Sequence, residues 1–382
     1  MTDLRPTEDG LPALGWDERL ATLFATEAAG LVPGRILGEE RGQYVVATAA
    51  GEGPATPSGR LRHDTVLDPT AAWPAVGDWV ALDPLADGVN GAGPNAGSSA
   101  GADEHRLIQR VITRWTAVIR RSPGDRRMPS QVLAANVDVV FVVTSVNAEF
   151  NVRRLERYLT VAWESGAVPI VLLSKADLAD DIEAYRLTAE ATAPGVELIP
   201  VSIVSGEGVE AVRAHLGLGR TVVFTGSSGV GKSSIVNALA GEDLLDTGGI
   251  RLDDARGRHT TTRRQLVRLA GALLIDTPGL RELGVLDGEG LSTAFDDIER
   301  TAADCRFGDC QHRSEPGCAV RAALAAGTLS RDRLDAYEKL QREAQRATLA
   351  TDALARRAER RKWTAIHRSV DQHMRLKYGA DR

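Results

Sequence analysis

The stretch richest in chemistry in this 382-residue chain is GSSGVGKSS, from Gly226 to Ser234. Gly226, Gly231, Lys232 and Ser233 fill the pattern G-x-x-x-x-G-K-[ST]. RTVVFTG, leading in, reads as a strand, and IVNALAG, leading out, as a helix. Glycines let the backbone N–H groups of Ser227, Ser228, Gly229 and Val230 wrap phosphate oxygens, and the helix start at Ser233 and Ser234 adds positive potential. Lys232 can extend to β- and γ-phosphate oxygens, and the Ser233 hydroxyl can ligate Mg²⁺. The pattern has chance matches, but its strand–loop–helix setting favours a phosphate cradle over an empty turn.

Two further segments extend that chemistry. ALLIDTPG places Asp276 at the end of an apolar strand, opening D-x-x-G. Its carboxylate would hold Mg²⁺ through water, and the Gly279 N–H would sense the outermost phosphate. LLSKADL ends another apolar strand and carries Ser174, Lys175, Ala176 and Asp177, matching the K-x-D of N-K-x-D. Asp177 can accept from guanine N1–H and N2–H₂, a donor pair adenine lacks, and such sites reject analogues strongly because their own polar atoms are left unpaired. The Lys175 stem would cover the base plane. Ser174 stands where Asn is usual, so weaker bracing of this loop is expected. VSIVSGEG supplies Ser202, a candidate for the backbone element that touches the guanine oxygen. Ordinary GTPases place the phosphate loop first and the guanine motif last. Here Asp177 and Ser202 precede Gly226, so the order is circularly permuted, which α/β domains with neighbouring termini tolerate.

A third constellation is DCRFGDCQHRSEPGC, with Cys305, Cys310, His312 and Cys318 at the spacing C-x₄-C-x-H-x₅-C. These are all three cysteines of the chain. Three thiolates and an imidazole suit tetrahedral Zn²⁺ with no open position, hence one structural zinc rather than a catalytic one. The odd cysteine count argues against disulfides.

The elements that must position these groups follow from the hydrophobic pattern. Residues 11–30 read as a short helix ending at Gly30. Between Gly34 and Arg121, short alternating runs (GRILGEE, QYVVATA, GDWVALD, RLIQRVI, TAVIRR) punctuated by Gly and Pro predict a small all-β domain. Residues 85–105, rich in Gly, Ala and Asn, read as a disordered hairpin insertion. From Val137 on, near-continuous apolar runs such as VDVVFVVTSV and VPIVLLS predict parallel strands buried on both faces, alternating with helices. The expected organisation is a helical extension (1–30), an all-β domain (31–128), a permuted P-loop α/β domain (129–285), and a zinc-binding domain with C-terminal helices (286–382).

A net charge of −6 with 43 % apolar residues excludes a wholly basic nucleic-acid coat protein while leaving room for basic patches. Arg106, Arg110, Arg114, Arg120, Arg121, Arg126 and Arg127 form one such cluster, and ARRAERRKW, containing Arg356, Arg357, Arg360, Arg361 and Lys362, another. Either could contact RNA phosphates or be a solvated face. Tyr44, Trp79 and Trp115 are conceivable stacking platforms but read more readily as core. The polar start MTDLRPTEDG is no signal peptide, and no run approaches the roughly 18 apolar residues of a membrane span. A soluble, cytoplasmic monomer is expected.

PAVGDWV, QVLAANVDVVFVV, GRHTTTRRQL and DTPGLREL, with the motifs above, resemble the circularly permuted, ribosome-small-subunit-dependent GTPases (RsgA/YjeQ family) over nearly the whole chain. The resemblance implies that the all-β domain is an OB-fold and that the partners are the small ribosomal subunit and its rRNA. It implies GTP hydrolysis to GDP in late subunit maturation, stimulated by that subunit. It also assigns GRHTTT as switch I. His259 would orient the attacking water, since Leu280 stands where many GTPases carry Gln. One of Thr260, Thr261 and Thr262 would close on Mg²⁺, with Thr261 taken as the candidate. Two other readings are an RNA-binding module using GTP and GDP as a clamp with little turnover, and a large-subunit permuted GTPase. The N-terminal β domain and the zinc ligands disfavour the latter.

Overall fold

A computed structural model describes residues 10–40, 42–67, 73–84, 105–120, 131–147, 150–245, 264–276 and 289–351. The chain forms two compact units, Met1–Arg120 with Val132–Leu283, and Arg121–Gln131 with Gly284–Arg382.

The first unit begins with a 3-10 turn (Leu11–Leu14) and helix α1 (Glu18–Glu27). The Asp17 carboxylate caps α1 by accepting from the Leu20 N–H at 2.8 Å. Strands β1 (Val32–Glu40), β2 (Gln43–Thr48), β3 (Gly51–Pro57), β4 (Trp79–Leu82) and β5 (Arg106–Val111) follow, with α2 (Gly59–Leu67) between β3 and β4. They close in the order β1-β2-β3-β5-β4-β1, and only β3–β5 is parallel. This is an OB-like barrel, as expected, but one strand differs. TAVIRR forms β6 (Ala117–Arg120), which pairs with β7 (Gln131–Ala135) in a separate ribbon, and GEGPATP supplies β3 instead. Its glycines and prolines argue against a strand by composition. Pairing with β5 starts only at Ala55, so Pro54 stays clear of that ladder. Trp79 is 0 % exposed and Tyr44 1 %, so both are core and neither can stack on a base. Trp115 is half-buried, with the Arg19 guanidinium 4.6 Å from its ring centroid.

The rest of this unit runs β8 (Val139–Ser145), α3 (Val152–Glu164), β9 (Val168–Ser174), α4 (Ile182–Thr192), β10 (Glu197–Val201), α5 (Val209–Arg213), β11 (Thr221–Thr225), α6 (Lys232–Ala240), β12 (Gln265–Leu269) and β13 (Ala272–Asp276). The sheet order is β10-β9-β8-β11-β13-β12, parallel except for β12. Alternate residues face opposite cores. Val140, Val142, Val171, Leu173 and Val223 pack with Leu155 and Leu159 of α3. Phe141, Val143, Ile170, Leu172 and Phe224 pack with Val212 of α5 and Ile235 of α6. Burial on both faces is why these strands read as continuous apolar runs. β12, short and half-polar, carried no such signal. It touches the barrel at one register pair, Gly38 with Gln265.

The PAVGDWV segment knots barrel to sheet. Gly77 has φ +90°, and a Cβ there would lie 2.3 Å from the Ala135 carbonyl oxygen. Its own carbonyl accepts from Arg35 Nε (3.3 Å) and Asn136 Nδ2 (3.1 Å). The buried Arg35 also donates to Thr221 Oγ1 at 2.7 Å and to the Leu14 carbonyl. Burial lowers its pKa to about 10, opposed by Asp138 and Asp78. Asp78, fully buried, takes a two-pronged bond from Arg114 (2.7 and 2.6 Å) and one from the Ala75 N–H (2.8 Å). Burial alone would lower the Arg114 pKa, but hydrogen bonding and charge attraction from Asp78 push it up. Arg114 therefore leaves the expected RNA-facing cluster, because its charge is neutralised inside the barrel. Residues 85–104 of the expected insertion, Arg121, Arg126 and Arg127 lie outside the described residues.

The second unit holds α7 (Glu289–Ala294), α8 (Asp296–Ala303), α9 (Ala319–Ala326) and α10 (Arg331–Thr351). Arg333 forks onto Asp297 (2.7 and 2.8 Å) and lies 4.8 Å from the ring centroid of the buried Phe295. Tyr337 donates to Glu299 at 2.6 Å. The ARRAERRKW segment lies outside the described residues, and among those described no helix is long and apolar enough to cross a membrane.

Exposed pairs such as Arg186–Glu183 contribute little, whereas removing one partner of a buried pair costs about 3–5 kcal/mol. Asp78→Ala is therefore expected to destabilise the first unit by about 3–5 kcal/mol in urea unfolding, and a loss under about 1 kcal/mol would refute the knot.

Candidate nucleotide site and cysteine–histidine cluster

Loops at the carboxyl ends of parallel strands are where α/β sheets bind ligands, and the sequence motifs converge there. The Gly226–Ser234 loop links β11 to α6. Gly226 has φ +141°, and a Cβ on it would lie 2.2 Å from the Val143 carbonyl oxygen, so the loop leaves β11 hard against β8. Gly229 and Gly231 also have positive φ, 78° and 98°. Lys232 folds back along the loop, its Nζ donating to the carbonyls of Gly226 (2.7 Å) and Ser227 (2.6 Å).

The β9 loop is tied to this cradle. Ser174 is directly opposite Ser145 of β8 and Val201 of β10. Its hydroxyl donates to the Val230 carbonyl at 2.6 Å and sits 3.2 Å from that of Thr144. The expected weakness of a serine at this position does not arise from reach: the strands bring the two loops close enough for the shorter side chain. Lys175, with φ 59°, turns the chain into a 3-10 turn over Ala176–Leu178 that carries Asp177. Asp177 accepts from Ser202 Oγ at 2.6 Å, and Ser202 Oγ accepts from the Ser205 N–H at 3.2 Å. The Ser202 N–H bonds the Glu207 carbonyl at 3.0 Å. Ser202 thus acts on the carboxylate through its hydroxyl, a role the sequence reading missed, while its own amide is already engaged.

Asp276 ends β13, opposite Gln265 of β12. Gly279, Leu280, His259, Thr260, Thr261 and Thr262 lie outside the described residues. Sequence reasoning also missed Arg154. It stands in the first turn of α3, which Asn151 caps by accepting from the Arg154 N–H at 3.0 Å. Its Nη1 donates to Ser227 Oγ at 2.8 Å. The signal was hidden because one arginine in RRLERYL looks like any other.

In the second unit, Cys305, Cys310, His312 and Cys318 present ligand atoms all within 4.8 Å of one another. Cys305 and Cys318 sulfurs are 3.9 Å apart, and His312 Nδ1 lies 3.7 and 3.5 Å from them. A tetrahedral Zn²⁺ with Zn–S of about 2.3 Å and Zn–N of about 2.0 Å requires edges of roughly 3.5–3.8 Å. The edges among Cys305, His312 and Cys318 are close to those values, so the four residues could hold that ion, and all three cysteines are free. His312, at φ 59°, turns the loop so that its ring joins the thiols, and Cys318 caps α9 through its sulfur.

A phosphate-type loop braced to a carboxylate loop that precedes it in the chain, on a P-loop sheet joined to an OB-like barrel, defines a circularly permuted GTPase fold. The chain belongs to the RsgA GTPase family: that family's model matches residues 111–286. A Lactiplantibacillus plantarum protein named small ribosomal subunit biogenesis GTPase RsgA 2 is 44 % identical over 319 residues, 83 % of this chain and 85 % of that one. The Streptomyces coelicolor protein named small ribosomal subunit biogenesis GTPase RsgA is 44 % identical over 371 residues, 94 % and 93 % of the two chains. Among solved structures, YjeQ from Thermotoga maritima aligns with TM-score 0.56 at 24 % identity, over 82 % of this chain and 98 % of that one. YloQ, described as a circularly permuted GTPase, aligns with TM-score 0.56 at 23 % identity, over 84 % and 96 %. These two bear on the fold alone.

Proposed function

We propose that this chain binds GTP at the loops after β9, β10 and β11, hydrolyses it to GDP and phosphate, and uses that cycle on the small ribosomal subunit during its late maturation, as a cytoplasmic monomer. The names of its relatives motivate the ribosomal partner. The observation that carries the nucleotide reading is the pair of hydroxyl bonds, Ser174 to Val230 and Ser202 to Asp177, which fix a base-reading carboxylate relative to a phosphate cradle.

The amides of Gly226 to Ser234 hold the phosphates, and Lys232 swings from the loop carbonyls to the β/γ oxygens. Ser233, Asp276 and Thr261 suit Mg²⁺, which when bound neutralises phosphate charge. Lys175 and Ala176 line the base, Asp177 reads it, Gly279 contacts the γ-phosphate, and His259 orients water. The Cys305, Cys310, His312 and Cys318 set takes one structural zinc. Arg106, Arg110 and the C-terminal arginines contribute to rRNA contact.

Three outcomes are expected. GTP turnover by the purified protein should rise with isolated small subunits and not with large ones, and His259→Ala should lose the stimulated rate. Equal turnover with small subunits, large subunits and neither would sink the reading. Asp177→Asn replaces an acceptor by a donor, so GTP affinity should fall at least about 100-fold while xanthosine triphosphate, with a C2 carbonyl, becomes a ligand. An unchanged preference for GTP would remove Asp177 from base reading. Elemental analysis should find one zinc per chain, lost in Cys310→Ser together with a lower melting temperature of the C-terminal unit. Folded, metal-free wild-type protein would contradict the zinc assignment.

A further inference from the structure

Arg154 differs from the other well-placed arginines of the first unit in what it holds. Arg114 forks onto a buried carboxylate, and Arg35 saturates a set of carbonyls and a hydroxyl in the interior. Arg154 is exposed, has no carboxylate partner among the described residues, and rests its Nη1 on the neutral hydroxyl of Ser227 at 2.8 Å. The carbonyl of the same Ser227 accepts from Lys232 Nζ at 2.6 Å. Two cations therefore converge on one residue of the phosphate loop.

The position is informative. The loop lysine is the group that swings onto β- and γ-phosphate oxygens, so its resting place on the loop carbonyls lies within one side chain's reach of the phosphate site. The lysine tip lies against Ser227, and the Arg154 guanidinium lies against the same residue from the α3 side. The backbone that delivers it is fixed. β8 and β11 are parallel neighbours paired from Val222–Val139 to Thr225–Val142, so the chain leaving β8 for α3 emerges beside the chain leaving β11 for the loop. The Asn151 cap sets the first turn of α3.

We infer that Arg154 is an in-cis catalytic cation of the GTPase reaction, leaving the Ser227 hydroxyl to donate to the γ-phosphate and the β–γ bridging oxygen. This rests on the GTP-hydrolysis reading above. In that reaction a water oxygen bonds to the γ-phosphorus as the bond to the bridging oxygen breaks. GDP leaves with that electron pair, and the water proton ends on phosphate. Arg154 transfers no proton; it neutralises the charge that builds on the bridging and γ oxygens. A planar fork suits that task and an ammonium does not reproduce it. Arginine cations supplied in this way raise turnover by about 10³–10⁵-fold. That task is separate from the orientation of water, which the reading above gives to His259.

The test compares wild type, Arg154→Ala, Arg154→Lys and the same-turn control Arg153→Ala, using the full chain. Single-turnover hydrolysis, GDP and GTP affinities, and trapping of GDP with aluminium fluoride are measured. The expected result is a fall in the hydrolysis rate of about 10²-fold or more for Arg154→Ala, with poor rescue by Lys. GDP affinity should stay within about 3-fold, aluminium fluoride trapping should be lost, and Arg153→Ala should resemble wild type. Arg154→Ala hydrolysing at the wild-type rate, or losing GDP and GTP affinity equally with its rate intact, would overturn the inference and reduce Arg154 to a loop brace. Failure of the wild type itself to bind or hydrolyse GTP would instead sink the function proposed above.

Discussion

The site depends on two short hydroxyl bonds that lock three loops together. Ser174 donates to the Val230 carbonyl, so the loop after β9 cannot move without the phosphate loop after β11. Ser202 donates to Asp177, so the loop after β10 sets the direction of the carboxylate after β9. Each bond contributes only about 1 kcal/mol to stability. Their value is geometric, because each fixes the direction of a polar group at the end of a strand rather than adding to the core.

That arrangement also explains why a permuted order builds the same kind of site. The two bonds depend on which strands are neighbours, namely β10-β9-β8-β11, and not on which comes first in the chain. Parallel strands put all their carboxyl ends on one edge, so any order of connection that keeps the neighbours delivers the same loops. The arginine–glycine knot at the opposite end of β11 anchors the cradle from below. Thr221 opens β11 and accepts from Arg35 of the barrel, whereas Gly226 follows its last residue. The phosphate loop is thus carried by a strand held at both ends, by the barrel at its start and by β8 at its finish.

The sequence showed most clearly what rests on local pattern. Strands buried on both faces announce themselves as apolar runs, and the glycine-rich loop and the cysteine–histidine cluster as fixed spacings. What depends on tertiary contact was hidden. β3 contains Gly51, Gly53, Pro54 and Pro57, and becomes a strand because β2 and β5 flank it. TAVIRR has a good strand composition but pairs outside the barrel. Ser202 was assigned through its backbone, yet its side chain acts, since a 2.6 Å contact to a residue 25 positions away has no linear signature.

Arginine gives the sharpest case of that limit. In a chain where only five of 46 basic residues are Lys, charge alone separates nothing. Partners do. Arg35 is buried and Arg114 largely so, both with their donors engaged, so each is part of the scaffold, and Arg333 is fixed by Asp297 and the face of Phe295. An arginine whose charge is matched cannot also serve an incoming phosphate without paying to break that match. An exposed guanidinium on a neutral hydroxyl has no such cost, because exchanging a hydroxyl for a phosphate oxygen replaces a neutral acceptor with a charged one and strengthens the bond. The same residue type, separated by its acceptor, thus sorts into scaffold and reactive group, and the sorting is visible only in three dimensions.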